Sequence, residues 1–574
     1  MNPYFPIYTE KAECQDCYKC VRSCSSKAIK VENGSASVLQ EMCVMCGRCV
    51  QVCPAGAKKV RNDIGRVKRL LTIKERVVVS LAPSYMSEFN ASPAQMINAL
   101  KKLGFWGVSE TALGAQEVSA HVARQLREKT NQLLISSACP TVVQYIKKYY
   151  PQYSDNITTL HSPLLAHATM LKSIYGPDIS VVFVGPCIAK KYEADTFSDL
   201  VDIAITFKNL QSWFQEEAII PAKLVPGKDD VFIPEAAHEG GLYPVDGGML
   251  AGIKANCSVH DAHFMSFSGL DIIKKALANL EQTDKNLFIE MLACEGGCIN
   301  GPQASVQGAT ISKRFRVVDH VSYPDQDIPR QPGYDITNEQ RVTCLETTEY
   351  DEFLVREALL MAGKISAEDE LNCGGCGYDT CREFAIAMLD GKAEPDMCVS
   401  FMRKRAHKTA NALLSSIPSG VVIVDRDLRI IECNQNFAKL MGGDSELIYD
   451  ARPGMEGANL QKLVPFASFF RQVLEGSVEK RNKNIRYQNR ILNVTLFTIE
   501  PGRTAGGIIQ DITAPAMQKE QIIERARKVI ENHLSTVQQI AFLLGENASE
   551  NEVILESIIE SFSPESIQKG ADDE

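Results

Sequence analysis

Between about residues 75 and 325, short apolar runs alternate with stretches of helical periodicity, the texture of an α/β domain built on buried strands. Val77-Val78-Val79-Ser80-Leu81, Leu133-Leu134-Ile135, Val181-Val182-Phe183-Val184 and Leu287-Phe288-Ile289-Glu290-Met291 read as strands of such a sheet. After the first run, Ser92-Pro93 marks a helix entry and Gly104 its exit: a capping hydroxyl, a proline whose missing N–H is not needed there, and a permissive last residue. Past a helical stretch from Phe401 to Leu414 the texture changes. Val421–Val424, Arg429–Glu432, Ile491–Glu500 and Gly507–Asp511 read as antiparallel strands, with a short helix over Asn434–Met441. From Pro515 the pattern is helical, with Ile523, Ile530, Val537 and Leu544 recurring every seven residues and Leu534 and Ile540 alongside. That stripe suits a short coiled coil or, equally, an amphipathic helix packed on the preceding domain.

A chain of 574 residues is too long for one core and divides into several domains. The changes of texture set them at 1–62, 75–330, 350–408, 410–513 and 514–574. Nineteen cysteines, without an apolar leader or an apolar run long enough for a bilayer, point to a cytoplasmic protein with no membrane partner. In a reducing compartment such crowded thiols mean metal rather than disulfide. The net charge of -10, without a long Lys/Arg run, offers no footprint for phosphates, so no nucleic acid partner is expected.

The first domain carries an internal duplication, Cys14-x2-Cys17-x2-Cys20-x3-Cys24 followed by Cys43-x2-Cys46-x2-Cys49-x3-Cys53-Pro54. This is the two-cluster bacterial ferredoxin pattern, in which the fourth cysteine of each run ligates the other cluster. Cys14, Cys17, Cys20 and Cys53 are therefore expected to hold one 4Fe-4S cube, and Cys43, Cys46, Cys49 and Cys24 the other. Ser25 replaces a frequent proline without changing ligand count. Paired zinc sites are the competing reading, but zinc modules space their ligand pairs farther apart. Cubes held by soft thiolates move single electrons, so this domain reads as a conduit.

Three of the central strands run directly into cysteines: Cys139 in Ser-Ser-Ala-Cys-Pro, Cys187 in Gly-Pro-Cys-Ile-Ala-Lys-Lys, and Cys294 and Cys298 in Glu-Met-Leu-Ala-Cys-Glu-Gly-Gly-Cys. Ligands of open α/β sheets sit beyond the carboxyl ends of strands, so these segments can deliver four thiolates to one buried point. A single buried cysteine is usually a small hydrophobe; four at strand ends argue against coincidence. The segments resemble, in order, the three signature segments of the FeFe-hydrogenase large domain, over roughly residues 75 to 325. The resemblance implies an H-cluster, a 4Fe-4S cube joined through one cysteine to a two-iron unit carrying CO, CN and a bridging azadithiolate. By position Cys139, Cys187, Cys294 and Cys298 would hold the cube, with Cys298 the bridging thiolate. Lys190 would hydrogen-bond a cyanide and Glu193 would neutralise and orient that lysine. Taken alone, Lys190 beside Lys191 is as readily a solvated charge pair.

The sequence departs from the catalytic members of that family at the proton exit. Ala138 stands where they carry a cysteine, which with a free pKa of about 8.5 passes protons near neutral pH, whereas a methyl group neither donates nor accepts. Glu117 and Ser162 match relay positions farther along, Ala120 falls where a second relay glutamate is expected, and Arg124 matches the basic residue beyond. Gln116-Glu117 on a helix is otherwise an ordinary solvated pair. Gly185 and Leu292 replace methionines that pack on the two-iron unit, a loss expected to enlarge or reshape that pocket. Low turnover follows, and with it a reading of hydrogen sensing rather than bulk hydrogen metabolism.

A third motif, Cys373-x2-Cys376-x4-Cys381-x16-Cys398 with Gly374, Gly375 and Gly377, resembles the small 4Fe-4S domain of corrinoid iron–sulfur proteins, with zinc again the alternative. Cys257, Cys344 and Cys433 read as ordinary thiols. The segments Ile417–Asp425, Glu432–Phe437 and Gly507–Thr513 resemble a PAS domain, an α+β fold. No histidine occurs between 411 and 513 and Cys433 lacks a photoactive flavin context, so a protein-binding or dimerising role is favoured. His533 precedes no Gly-rich ATP-binding segment. The expectation is thus a multidomain α/β protein, a homodimer, with four iron–sulfur centres in all. Its partners would be H2 and protons, a ferredoxin or similar carrier, and a separate kinase, phosphatase or regulator reached through the PAS domain and C-terminal helix. A metabolic ferredoxin-dependent hydrogenase and a non-catalytic iron–sulfur scaffold are the alternatives.

Overall fold

The computed structural model describes residues 5–513 except 129–131, 257–261, 279, 281–284, 305–307, 322–325, 327, 340–343, 346–347, 477–479 and 489, together with 528–530 and 536–537. Most of the heptad stripe, His533 and Cys257 therefore lie outside the described residues. The chain forms two compact units, Met1–Glu394 and Pro395–Glu574. That division falls inside the segment 350–408 expected as one small domain. No described helix is long and apolar enough to cross a membrane.

In the first unit the duplicated cysteine runs fold as paired half-domains. Ile7–Thr9 pairs antiparallel with Lys58–Val60, and Ile29–Glu32 with Ser35–Val38. Short helices at Lys19–Arg22 and Arg48–Val52 carry the third cysteine of each run, Cys20 and Cys49. The helix Ile64–Ile73 leads out, and its preceding Asp63 is bound by both Arg61 and Lys191, which ties this domain to the next.

The central domain has two parallel sheets where the sequence suggested one. Four strands lie in the order Gly107–Glu110, Val77–Leu81, Ser180–Gly185 and Ile203–Thr206; three more in the order Ala262–Ser268, Asn286–Leu292 and Leu133–Ile135. Val77–Leu81, Ser180–Gly185 and Asn286–Leu292 are buried along their whole length, which is why they lack alternation and read as continuous apolar runs. The helix Pro93–Lys102 starts with a capping box between Ser92 and Gln95, and Gly104 takes φ +101° beyond its end. Separate apolar cores pack on the two sheets, one around Val79, Phe183 and Trp213, the other around Ile135, Ile289 and Met291.

In the second unit the helix Val399–Ser416 precedes a five-stranded antiparallel sheet, ordered Ile430–Cys433, Gly420–Asp425, Thr504–Asp511, Arg490–Glu500 and Lys480–Tyr487. Helices Gln435–Met441, Asp444–Ala451 and Ala467–Leu474 cover it, and Phe437, Phe466 and Phe470 fill the core.

Candidate metal centre

The three strand-to-cysteine segments converge although they leave two different sheets. Cys139 caps the helix Pro140–Tyr149 just past Leu133–Ile135; Cys187 follows Ser180–Gly185; Cys294 and Cys298 follow Asn286–Leu292. The last pair is separated by Gly296 at φ +75° and Gly297 at φ +102°. A Cβ on Gly297 would lie 2.3 Å from the Pro244 carbonyl oxygen, so only glycine lets this turn press onto the neighbouring backbone.

Cys139, Cys187, Cys294 and Cys298 line one small cavity, shared with Met45, Cys46, Thr141, Pro186, Ala293, Gly301 and Pro302. Burial pushes every one of these thiols up, Cys187 to about 11 and Cys294 and Cys298 well above the ordinary range. Four buried thiols with no cation between them are held as thiolates only if a positive group joins them. Among the described residues no three His, Cys, Asp or Glu side chains close on a point as a single ion requires. Sulfurs ringing a cavity fit a polynuclear 4Fe-4S cube instead.

Lys190 is the cation nearest this site. Its ammonium donates to Glu193 Oε2 at 2.6 Å and to Ser162 Oγ at 2.8 Å, and its charge lowers the thiol pKa of Cys139, Cys187 and Cys298. Lys190 and Glu193 are each 8% exposed and Lys191 is fully buried against Asp63, so the solvated-pair reading of the two lysines does not hold. Ser162 caps the helix Pro163–Tyr175, which fixes its hydroxyl. Lys190 does not itself line the cavity, but a held ammonium whose charge reaches three of its thiols suits an anionic group such as a metal-bound cyanide.

Ala138 is half-buried and packs on the core that contains Met249 and Phe288. Its neighbours are hydroxyls: its N–H donates to Ser136 Oγ, which in turn contacts Met249 Sδ. Glu117 is engaged elsewhere, accepting from the backbone amides of Gly333 at 2.7 Å and Tyr334 at 2.9 Å, with His121 Nε2 at 3.3 Å. Gln116, beside it, is 4% exposed, so this is not a solvated pair. Ala120 is buried in the same helix, and Arg124 reaches His121 Nδ1 and Glu128. At Gly185 a Cβ would lie 2.5 Å from the Phe183 ring and 2.9 Å from Ala82 Cβ. The space a methionine would begin to fill is occupied, so its absence reshapes the surroundings without opening them.

Two neighbours of the site carried no sequence signal of their own role. Cys46, an expected ferredoxin ligand, lines the same cavity. Glu290, on a strand read as plain core, is 1% exposed, and its carboxyl is pushed up to about 6 by burial, against hydrogen bonds from Ser266 and the amides of Met249 and Gly247. Its charge is felt at Cys298. A single carboxylate inside an apolar run was the available clue.

The N-terminal thiols group as crossed quartets. Cys20 feels Cys17, Cys14 and Cys53, while Cys43, Cys46 and Cys49 all feel Cys24. Of the third motif, Cys373, Cys376 and Cys381 lie in the first unit, and Cys398 caps the helix Val399–Ser416 of the second. Cys433 is buried in the PAS-like core, its thiol pushed up to about 12, and Cys344 is exposed.

Comparison with known proteins agrees with this geometry. Residues 75–302 match the family described as iron only hydrogenase large subunit, C-terminal domain; 13–57 match a 4Fe-4S dicluster domain, 369–400 a putative Fe-S cluster family and 414–517 a PAS fold. Iron hydrogenase 1 of Clostridium pasteurianum is 27% identical over 41% of this chain and 51% of its own, so the chain spans about half the length of that relative. A probable cytosolic Fe-S cluster assembly factor of Caenorhabditis elegans is 20% identical over 46% of this chain and 68% of its own. A solved FeFe-hydrogenase from Chlamydomonas reinhardtii aligns at 18% identity over 46% of this chain and 91% of that one, with a TM-score of 0.37. The match to the iron-only hydrogenase large-subunit family covers the central domain that carries Cys139, Cys187, Cys294 and Cys298. Along the chain, the matches order as a 4Fe-4S dicluster region, the iron-only hydrogenase large-subunit region, a small Fe-S region and a PAS fold.

Proposed function

We propose that this chain is a hydrogen-sensing FeFe-hydrogenase of low turnover, interconverting H2 with two protons and two electrons and reporting the outcome through its PAS domain to a separate signalling protein. The observation that carries the reading is one cavity lined by Cys139, Cys187, Cys294 and Cys298, with Lys190 held beside it and a methyl group at position 138. The four cysteines would hold the H-cluster cube, Cys298 as the shared thiolate. When bound, that cluster supplies heterolytic hydrogen splitting and exchanges the electrons with the 4Fe-4S cubes. The chain's own side chains orient and gate. Lys190, pinned by Glu193 and Ser162, offers a desolvated ammonium to an anionic ligand, and Glu193 compensates the buried charge. Ala138 interrupts proton exchange at its first protein step, because neither its methyl nor the hydroxyls of Ser136 and Ser137 titrate near neutral pH.

The likeness to an iron–sulfur assembly factor supports a second reading, a scaffold that holds the cube alone. A bare cube needs four thiolates and no anion-facing lysine, so Lys190 and Glu193 favour the hydrogenase. The infrared spectrum of anaerobically maturated protein decides: CO and CN bands that shift under hydrogen are expected. Their absence from protein with full iron and sulfide content would leave the scaffold reading. Turnover as fast as that of a dedicated metabolic hydrogenase would remove the sensory one.

A further inference from the structure

The small cysteine module docks on the ferredoxin-like domain, and its contact point is the neighbourhood of one particular ligand. The Cys376-Gly377-Tyr378 turn lies on the end of the helix Lys19–Arg22 and the residues that follow it. Gly377, at φ +96°, has its backbone so close that a Cβ would sit 2.8 Å from Val21 Cγ1 and 3.1 Å from the Arg22 nitrogen. Lys27 Nζ donates to the Gly377 carbonyl at 2.6 Å, lies 5.9 Å from the Tyr378 ring centre and pairs with Asp379 at 3.7 Å. A second edge of the same contact joins Val31 N–H to the Lys392 carbonyl and Asn33 N–H to Glu394, both at 2.9 Å.

Tyr378 is 5% exposed and follows Gly377, whose backbone packs against Val21 and the Arg22 nitrogen. Among the described residues the Tyr378 hydroxyl has no hydrogen-bond partner. A buried donor two residues past a cysteine ligand is satisfied when a cluster sulfur stands there. Cys24 groups with Cys43, Cys46 and Cys49, and Cys46 lines the hydrogenase cavity. One quartet therefore faces the hydrogenase site through Cys46 and the small module through Cys24. No cysteine of the Cys14, Cys17, Cys20 and Cys53 quartet lines that cavity.

We propose that the Cys24/Cys43/Cys46/Cys49 cube is a branch point, exchanging electrons with the hydrogenase site on its Cys46 side and with the small-module cube across the Val21–Cys24 to Cys376–Tyr378 contact. Each transfer moves one electron, oxidising one cube as it reduces the next, and needs no proton or further reactant. The order of the clusters is then not their order in sequence: the third motif receives electrons from the N-terminal domain, bypassing the Cys14 cube. This rests on the iron–sulfur reading above and adds the route by which a hydrogen signal leaves it.

The test uses the full-length chain, reconstituted anaerobically, assayed for iron and sulfide and reduced for electron paramagnetic resonance. Expected is a spin–spin interaction beyond that of a two-cube ferredoxin, lost in Gly377→Val and in Lys27→Met while iron and sulfide per chain stay unchanged. Lys27→Met, a change at a half-exposed side chain, guards against a glycine variant that fails to fold. Full cluster content with a spectrum that is the sum of uncoupled small-module and ferredoxin signals overturns the branch point and leaves the hydrogenase reading standing. Iron and sulfide short by one cube in the wild type overturns the branch point together with the third-cluster reading.

Discussion

A methyl at position 138, where the resemblance to FeFe-hydrogenases implies a thiol, is a small change in volume and a large one in proton chemistry. A relay needs a group that both donates and accepts near neutral pH, and proton transfer by a positioned side chain contributes about 10² to 10⁴ in rate. Ala138→Cys in the cluster-loaded protein is therefore expected to raise hydrogen evolution by about that factor. An unchanged rate under saturating reductant would show that proton exit is not what limits this chain. A different residue contributes to the acid sensitivity of the fold. His167 is fully buried, its ring 2.8 Å from both Ser80 Oγ and Ser109 Oγ, and burial lowers its pKa from 6.5 to about 3. The folded state thus refuses a proton that the unfolded state accepts. The stability this protects is complete above pH 6.5 and falls by about 1.4 kcal/mol per pH unit as pH drops towards the folded value. His167→Gln should flatten the difference in acid-unfolding slope by one proton. Identical slopes for wild type and variant would contradict the assignment.

At the scale of elements, fully buried strands and capped helices were legible in the sequence. The helix after Ser92-Pro93 carries its own start signal, and the central strands are apolar on both faces. The division into two sheets was not, because an all-buried strand carries no mark of which neighbour it pairs with. Lys480–Tyr487 escaped for the opposite reason: it is an edge strand, rich in Lys, Arg and Asn and largely exposed, so its pattern is that of a loop. The convergence of Cys139, Cys187, Cys294 and Cys298 on one cavity was legible from spacing and turn chemistry, whereas Cys46 at that cavity and the buried Glu290 depend on tertiary placement. Gly185 shows how a local reading misleads. With Phe183 two residues earlier on the same face of the strand and filling the space, Gly185→Met is expected to destabilise by about 1–3 kcal/mol. Phe183→Ala in the same chain should recover part of that loss, with Trp213 fluorescence reporting unfolding of the shared core. A stable single variant would mean the ring gives way easily. In the PAS domain Asn434 is a second such hub. Its Oδ1 accepts from the amides of Val421 and Phe437, and its Nδ2 donates to the carbonyls of Leu414 and Ser419. It joins the incoming helix Val399–Ser416 to the first strand and the next helix. Asn434→Ala is expected to cost on the order of 2–4 kcal/mol, measured as a drop in the PAS unfolding transition.

On the scale of the whole molecule, two compact units with separate apolar cores imply that cluster loading stabilises one of them far more than the other. The first unit buries several thiols with raised pKa values, Cys20 and Cys43 to about 11 and Cys46 to about 12, so without iron each of these is a neutral buried group. Metal bound by the folded but not the unfolded chain adds its binding free energy to folding. The PAS core is different. Its one cysteine, Cys433, packs among Val422, Phe437 and Met441 and needs no ligand. Calorimetry of the anaerobic, loaded protein should therefore resolve two transitions. Anaerobic removal of iron by a chelator should lower the first by many degrees and leave the PAS transition where it was. A PAS transition that moves in step with iron content would mean that the helix Val399–Ser416, anchored by Asn434 at one end and beginning at Cys398 at the other, transmits cluster occupancy into the PAS core as a folding free energy. The signal would then be carried by stability as well as by electrons, and the same experiment repeated on Cys398→Ala would locate its entry point.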